Sequence, residues 1–528
     1  MTAPDFAHMR SFAEVSRLQA AQRPDKPAFL FEGRSTSFAA FDRHANQAAN
    51  GLIGLGVRPQ THIAYLGKNC DFYFELLVGA SKANAIMTPV NWRLAGPEIV
   101  YILNDAQASV LFVGPEFLGL VRELSPALTS VRHVIAVEGG DGAWPAYPNW
   151  RDAQSDDDPQ IPSAFEDVAI QLYTSGTTGR PKGAMLMNRG FFALRELHQD
   201  QGGSWQTWSD EDVSLVAMPC FHIGGTGWGV SGLIYGATGV VMREFDPHKV
   251  LDYFVTYGVS KLFLVPAAMQ IVLRQSHARE VDYSRLRNIL YGASPIPLDL
   301  MREAIDVFGC GFVQMYGMTE TTGTIVALPP EDHDPAGTPR MRSAGKALPG
   351  IEIKIIDDAG AEVACGVVGE IATRSPMNMK GYWNLPEATA ATLSADGWLR
   401  TGDAGYMDEA GYVYIHDRVK DMIISGGENI YPAEVENALY SYPKVADVAV
   451  IGVPDEKWGE AVKAMVVLKP GQTASEEELI GFARTQIAAY KCPKSVDFIE
   501  ALPRNPSGKI LRRELRAPFW ANKDRHVN

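Results

Sequence analysis

Short apolar runs alternate with amphipathic stretches through roughly the first 400 residues of the chain. Residues 63–66 followed by 72–80 make one such pair, 109–113 followed by 116–124 a second, and 261–265 followed by 267–275 a third. This alternation predicts parallel strands joined by crossover helices, an α/β fold class. Open sheets of that kind bind ligands in the crevice beyond their strand ends. The texture changes after Pro349. Residues 351–356, 370–373 and 412–415 predict short strands parted by the turns Asp358-Ala359-Gly360 and Glu409-Ala410-Gly411. A charged knot follows, Asp417-Arg418-Val419-Lys420-Asp421, and then Gly426-Gly427. Beyond it, 432–440 and 475–488 predict helices, the second opened by Ser475 with Glu478 three residues on. Residues 445–452 and 461–468 predict strands. The pattern divides the chain near Lys420 into residues 1–419 and a smaller α+β unit, 420–528.

One apolar stretch invites a different reading. Residues 213–242 contain no Asp, Glu, Lys or Arg, as a membrane helix would. Pro219, His222 and seven glycines oppose that, so a buried strand, a glycine-rich turn and a packed helix are expected. The 528-residue chain carries a net charge of −14, which speaks against nucleic acid as a partner. The five cysteines are scattered and lack a Cys-x-x-Cys pair, which fits a reducing compartment and offers no zinc site. No apolar leader or peroxisomal address is visible, so a cytoplasmic location without an integral membrane segment is expected. The composition leaves a homodimer open.

The densest chemistry lies in Tyr173-Thr174-Ser175-Gly176-Thr177-Thr178-Gly179-Arg180-Pro181-Lys182-Gly183. Glycines admit an anion close to backbone N–H groups, hydroxyls add donors, and Lys182 adds a point charge. This is a polyphosphate loop, but not a Walker loop, because no hydroxyl follows the lysine. The alternative is a surface turn. Residues 168–172 predict a strand feeding into it. A second cluster, Gln314-Met315-Tyr316-Gly317-Met318-Thr319-Glu320-Thr321, follows a predicted strand at 311–313. It offers an aromatic face, a hydroxyl, and a carboxylate suited to Mg²⁺. Core packing of Tyr316 and a helix-terminal Glu320 would produce the same letters. In Gly397-Trp398-Leu399-Arg400-Thr401-Gly402-Asp403, an aspartate in a tight turn could hold both ribose hydroxyls, or could simply close the turn. The fourth cluster is Pro503-Arg504-Asn505-Pro506-Ser507-Gly508-Lys509, whose lysine could equally be a solvated loop residue.

Taken together and in this order, the four clusters resemble the adenylate-forming superfamily, in its acyl-CoA ligase branch. The resemblance spans nearly the whole chain. It implies a large N-terminal domain of stacked α/β subdomains plus a small barrel-like sheet, followed by a small mobile C-terminal domain. It implies that Thr174, Ser175, Gly176, Thr177, Thr178, Gly179 and Lys182 clamp the β- and γ-phosphates of ATP. Gly292, Ala293 and Ser294 would run along the adenine and acyl group. Tyr316 with Gly317 would stack on adenine, Thr319 would meet the α-phosphate, and Glu320 would help hold Mg²⁺. Asp403 and Arg418 would bind ribose, Lys420 would be the hinge, and Lys509 would bridge the carboxylate and the α-phosphate. Gly426 and Gly427 would face the channel for coenzyme A, or form an ordinary turn. The implied reaction joins a small-molecule carboxylic acid to AMP, releasing pyrophosphate. A thiol then displaces AMP.

Pro219-Cys220-Phe221-His222-Ile223-Gly224-Gly225 resembles the family's segment beside the acyl group. No aspartate lies between Val213 and Arg243 to receive a substrate ammonium, so an acid without an α-amino group is expected. His222 either lies over the acyl carbonyl and gates the thiol or is a hydrogen-bonded core histidine. Cys220 reads as a buried, inert thiol. Gly224, Gly225, Gly227 and Gly229 suggest space at the acyl tail, with Trp228 as a wall; Phe221 and Met315 are expected to line the same pocket, Met315 standing where many relatives carry glycine, a departure that leaves the shape of the floor open. A medium- or long-chain fatty acid is the first reading and an aryl or phenylpropenoic acid the second. A luciferase-like oxygenase and a module loading a carrier protein are the other classes.

Overall fold

In the computed structural model, the residues described are 9–140, 142–174, 181–201, 204–294, 296–334, 336–418, 421–425, 428–455, 458–504 and 510–521. Two large sheets organise the first 350 or so of them. The nine-stranded sheet runs, edge to edge, Lys346–Ala347, Gly323–Leu328, Gly311–Met318, Asn288–Gly292, Lys261–Leu264, Val213–Val216, Thr238–Val241, Pro27–Phe31 and Arg34–Ser37. The six-stranded sheet runs His133–Ala136, Val110–Val113, His62–Leu66, Ile86–Pro89, Val168–Thr174 and Lys182–Met187. Pairing is parallel through the middle of both, from Gly311–Met318 to Pro27–Phe31 in one and from His133–Ala136 to Val168–Thr174 in the other. Antiparallel pairs close both edges of the larger sheet and the Lys182–Met187 edge of the smaller. The strand runs read as uniformly apolar because helices cover both sheet faces.

The helix Asp71–Lys82 lies between the two sheets, and every residue in it is buried. Its charges are tolerable because each is paired. Lys82 meets Asp42 at 2.8 Å and Asp158 at 3.1 Å, and Glu75 meets Arg151 at 2.8 Å. Phe74 of this helix stacks on Phe29 at 4.6 Å between ring centres.

Residues 213–242 form the strand Val213–Val216, the helix Ile223–Ile234 and the strand Thr238–Val241. Among the described residues, no helix is long and apolar enough to cross a membrane. The strands Glu352–Ile356, Gly369–Arg374, Trp398–Met407 and Val413–Arg418 make a four-stranded antiparallel sheet, the expected meander.

A separate sheet follows, ordered Glu428–Ile430, Ile423–Ser425, Gly459–Leu468 and Val445–Asp455, with Ser495–Phe498 also paired to Gly459–Leu468. It has its own buried cluster, including Val435, Leu439, Val450, Val462 and Leu479. The helix Glu476–Gln486 opens as expected. The Ser475 hydroxyl accepts from the Glu478 N–H, and the Glu478 carboxylate accepts from the Ser475 N–H.

Two motifs take a different local form from the one expected. The strand expected at 311–313 continues to Met318, so Met315, Tyr316 and Gly317 are strand residues. Asp403 lies within the strand Trp398–Met407 rather than in a tight turn. Both extensions come from antiparallel pairing with the next strand in sequence, Gly323–Leu328 and Val413–Arg418, a register that the motif residues themselves do not reveal.

Candidate active site

The strand Val168–Thr174 ends at the mouth of a large cavity of about 1260 Å³. Thr174 lines it and pairs in register with Lys182. Ser175, Gly176, Thr177, Thr178 and Gly179 lie outside the described residues. Opposite Thr174 sits Glu320, in a short 3₁₀ turn, Thr319–Thr321, directly after the strand Gly311–Met318. Glu320 is only 5% exposed, and its Oε1 accepts from the Tyr382 hydroxyl at 2.8 Å and from Thr174 Oγ1 at 3.3 Å. Lys182 Nζ lies 4.9 Å from the centre of the Tyr382 ring. One aromatic side chain thus touches both the lysine and the acid of two motifs far apart in sequence. Tyr382 is absent from the expectations. Its only sequence signal is the sequence Gly381-Tyr382-Trp383, which carries no charge or hydroxyl-rich pattern.

Tyr316 donates its hydroxyl to Asp403 Oδ2 at 2.9 Å. The aspartate expected at the ribose is therefore held by the tyrosine expected at the base. Asp403 is the register partner of Arg418. Gly317 is forced by packing, since a Cβ there would stand 1.9 Å from the Gly323 carbonyl oxygen. Ala293 lines the cavity with a φ of +67°, a conformation that costs a non-glycine residue energy. Gly292 ends the neighbouring strand and Ser294 follows it.

Phe221, His222, Gly224, Trp228 and Met315 line the same cavity as Thr174, Thr319 and Glu320. His222 stands immediately before the helix Ile223–Ile234. Burial, with a smaller effect from the Arg93 charge, lowers its pKa to about 4, so the ring is neutral at pH 7. Its Nε2 is buried without a hydrogen-bond partner. The expected space at the glycines needs correction. A Cβ on Gly225 would lie 2.2 Å from the Pro219 carbonyl oxygen, and one on Gly229 would lie 2.3 Å from the Phe74 ring. These two seat the helix against its neighbours and add no room for an acyl tail. The Cys220 thiol is buried and free, and burial pushes its pKa well up, which keeps it protonated.

Residues from the C-terminal part of the chain also line this cavity, among them Asp421, Arg504, Ile510 and Arg516. Arg516 bonds Asp421 at 2.6 Å, and Arg504 pairs through its backbone with Ile510. Lys509, Lys420, Gly426 and Gly427 lie outside the described residues.

The AMP-binding enzyme family model matches residues 16–383, and that of the AMP-binding enzyme C-terminal domain matches residues 434–509. The chain belongs to the AMP-binding enzyme family. Within it the chain falls among the AMP-forming acid–thiol ligases. It is 42% identical over 521 residues to a fatty acid–[acyl-carrier-protein] ligase, ScoC, of Streptomyces coeruleorubidus, covering 98% of each chain. It is 40% identical over 505 residues to a feruloyl-CoA synthase of an Amycolatopsis species, covering 95% of this chain and 97% of that one. Among solved structures it resembles the anthranilate CoA ligase AuaEII in complex with anthranoyl-AMP. There the TM-score is 0.89 at 28% identity, covering 98% of this chain and 99% of the other.

Proposed function

We propose that this protein activates a small carboxylic acid with ATP and passes the acyl group to the thiol of coenzyme A. A carboxylate resists attack because its leaving group would be oxide. Its attack on the α-phosphorus of ATP forms a mixed anhydride and expels pyrophosphate. The thiol sulfur then attacks the acyl carbon, the thiol proton is lost, and AMP departs. The observation that carries this reading is that Arg504 and Ile510, which bracket Lys509 in sequence, line the same cavity as Thr174, Thr319 and Glu320. In this reading Lys509 meets the charge gathered at the α-phosphorus. Lys182 and the hydroxyl loop hold the outer phosphates, Thr319 the inner one, and Asp403 with Arg418 the ribose. The same reading divides the chain at Lys420 into residues 1–419 and a lid, 420–528, which rotates between the half-reactions and brings Gly426 and Gly427 to the thiol channel.

Magnesium suits this donor set as a companion of the nucleotide. Among the described residues no three His, Cys, Asp or Glu side chains gather as a metal cage, whereas Glu320 offers a hard oxygen in the cavity. Glu320 would hold the ion, which would neutralise phosphate charge.

The neutral ring of His222, with an unpartnered Nε2, supports a place beside the acyl carbonyl. The acyl body is apolar, and the names of the relatives cover both a fatty acid and ferulate. The likeness to the carrier-protein ligase supports a second thiol acceptor, the pantetheine arm of a carrier protein. Pyrophosphate release over a panel of fatty and aryl acids, with coenzyme A or a pantetheinylated carrier protein, tests the proposal. No acid-dependent release of pyrophosphate with any acid offered would end it. Thioester formation only on the carrier protein would select the second acceptor.

A further inference from the structure

The segment between the strand Val213–Val216 and the helix Ile223–Ile234 carries Phe221 and His222 into the cavity. The peptide of the preceding residue, Cys220, is gripped from both sides. On one side stands the buried Asn69, which leads into the helix Asp71–Lys82. Its Oδ1 accepts from the Cys220 N–H at 2.9 Å. Its Nδ2 donates to the carbonyls of Met218 and Met242 at 3.0 Å each, and its own N–H donates to the Arg243 carbonyl at 3.1 Å. One amide thus ties the exits of two paired strands, Val213–Val216 and Thr238–Val241, to the segment that presents His222.

On the other side, the Cys220 carbonyl accepts from the Thr226 hydroxyl. The Tyr73 hydroxyl lies 2.6 Å from Thr226 Oγ1 and 3.2 Å from the same carbonyl oxygen, and both side chains are fully buried. The Thr226 N–H donates to the His222 carbonyl at 3.0 Å. Thr226 therefore holds the carbonyls on both flanks of Phe221, whose ring lies 4.5 Å from that of His222. None of Asn69, Tyr73, Cys220 and Thr226 is among the residues that line the cavity. They reach a bound acid only through Phe221 and His222. Buried polar groups are costly to leave unpaired, so this set of bonds keeps the Cys220 peptide in one place. Reacting geometry is intolerant of drift, and a displacement of about 1 Å can cost about 100-fold in rate.

Resting on the activity proposed above and on the place given there to His222, we infer that Asn69 and Thr226 are positioning residues that set His222 against the acyl carbonyl, acting through the Cys220 peptide. The test is single-turnover transfer from enzyme-bound acyl-AMP to coenzyme A, or to the pantetheinylated carrier protein if that is the acceptor, with the fastest acid of the panel. Its first-order rate constant does not depend on how much protein is folded. Thr226→Val keeps the shape and removes the hydroxyl. It should slow transfer by about 10- to 100-fold and leave the KM for ATP unchanged. Thr226→Ser restores the hydroxyl and should recover most of the rate. Asn69→Ala should slow transfer as Thr226→Val does. In a His222→Ala background, itself slowed, Thr226→Val should make no further difference, because an absent ring cannot be misplaced. Wild-type transfer by Thr226→Val, a Thr226→Ser rate as low as that of Thr226→Val, or the same fold-loss with and without His222 would overturn the inference. If Asn69→Ala gives no folded protein, the Thr226 series decides. Wild-type transfer by His222→Ala would remove the place given to His222 and the inference with it. If no acid releases pyrophosphate, it is the underlying activity that fails, a distinguishable result.

Discussion

The Tyr382 hydroxyl donates to Glu320 Oε1 across 2.8 Å while the face of its ring receives Lys182 at 4.9 Å. This couples Lys182, proposed to hold phosphate, to the acid that would face the nucleotide's metal. A hydrogen bond to a charged group is worth about 1.5–3 kcal/mol. Tyr382→Phe keeps the ring and removes the donor. Acid-dependent exchange of pyrophosphate into ATP should fall by about 10- to 100-fold. An exchange rate equal to wild type would refute the coupling.

Lys509→Ala separates the half-reactions. Adenylate formation should fall by about 100-fold or more, the scale of losing a donor aimed at developing charge. Conversion of supplied acyl-AMP to thioester should be largely retained, because AMP departure needs no contact with pyrophosphate. Equal losses in both assays would contradict the role given to Lys509.

Gly317→Ala tests whether backbone closeness sets this part of the site. Its Cβ would collide with the Gly323 carbonyl, which belongs to the partner strand rather than to a movable side chain. Overpacking of this kind costs about 1–3 kcal/mol. Urea denaturation should report that loss, accompanied by weaker ATP binding because Thr319 and Glu320 follow the displaced strand. A wild-type denaturation midpoint would show that the strands can part without cost.

Burial lowers the pKa of His62, His198 and His222 to about 4 each. The folded state therefore resists taking up protons that the unfolded chain binds below about pH 6.5. Stability contributed by these neutral rings is full above pH 6.5 and is lost as pH falls through 4. For His62, 3% exposed and bonded to Gln171 Oε1 at 3.0 Å, the slope should approach about 1.4 kcal/mol per pH unit inside that window. Denaturation midpoints at intervals from pH 7.5 to 4 measure it. His62→Gln should flatten the profile, and an unchanged slope would assign the effect to other groups.

Legible in the sequence were the alternating α/β layout, the strand leading to Thr174, and the Ser475–Glu478 helix start. Each is written in a short window, by period, turn residues or paired caps. The ordered motifs were legible too, because hydroxyls, carboxylates and lysines are chemically distinctive wherever they stand. Tertiary pairing settled what depends on which segments meet, whether an adjacent strand or a residue 62 or more positions away. It extended the strand Gly311–Met318 through its motif, put Asp403 on a strand bonded to Tyr316, and brought Tyr382 between Glu320 and Lys182. It also turned two glycines from apparent pocket space into helix seats against Pro219 and Phe74, since a missing side chain acquires meaning only from the atoms that fill its place.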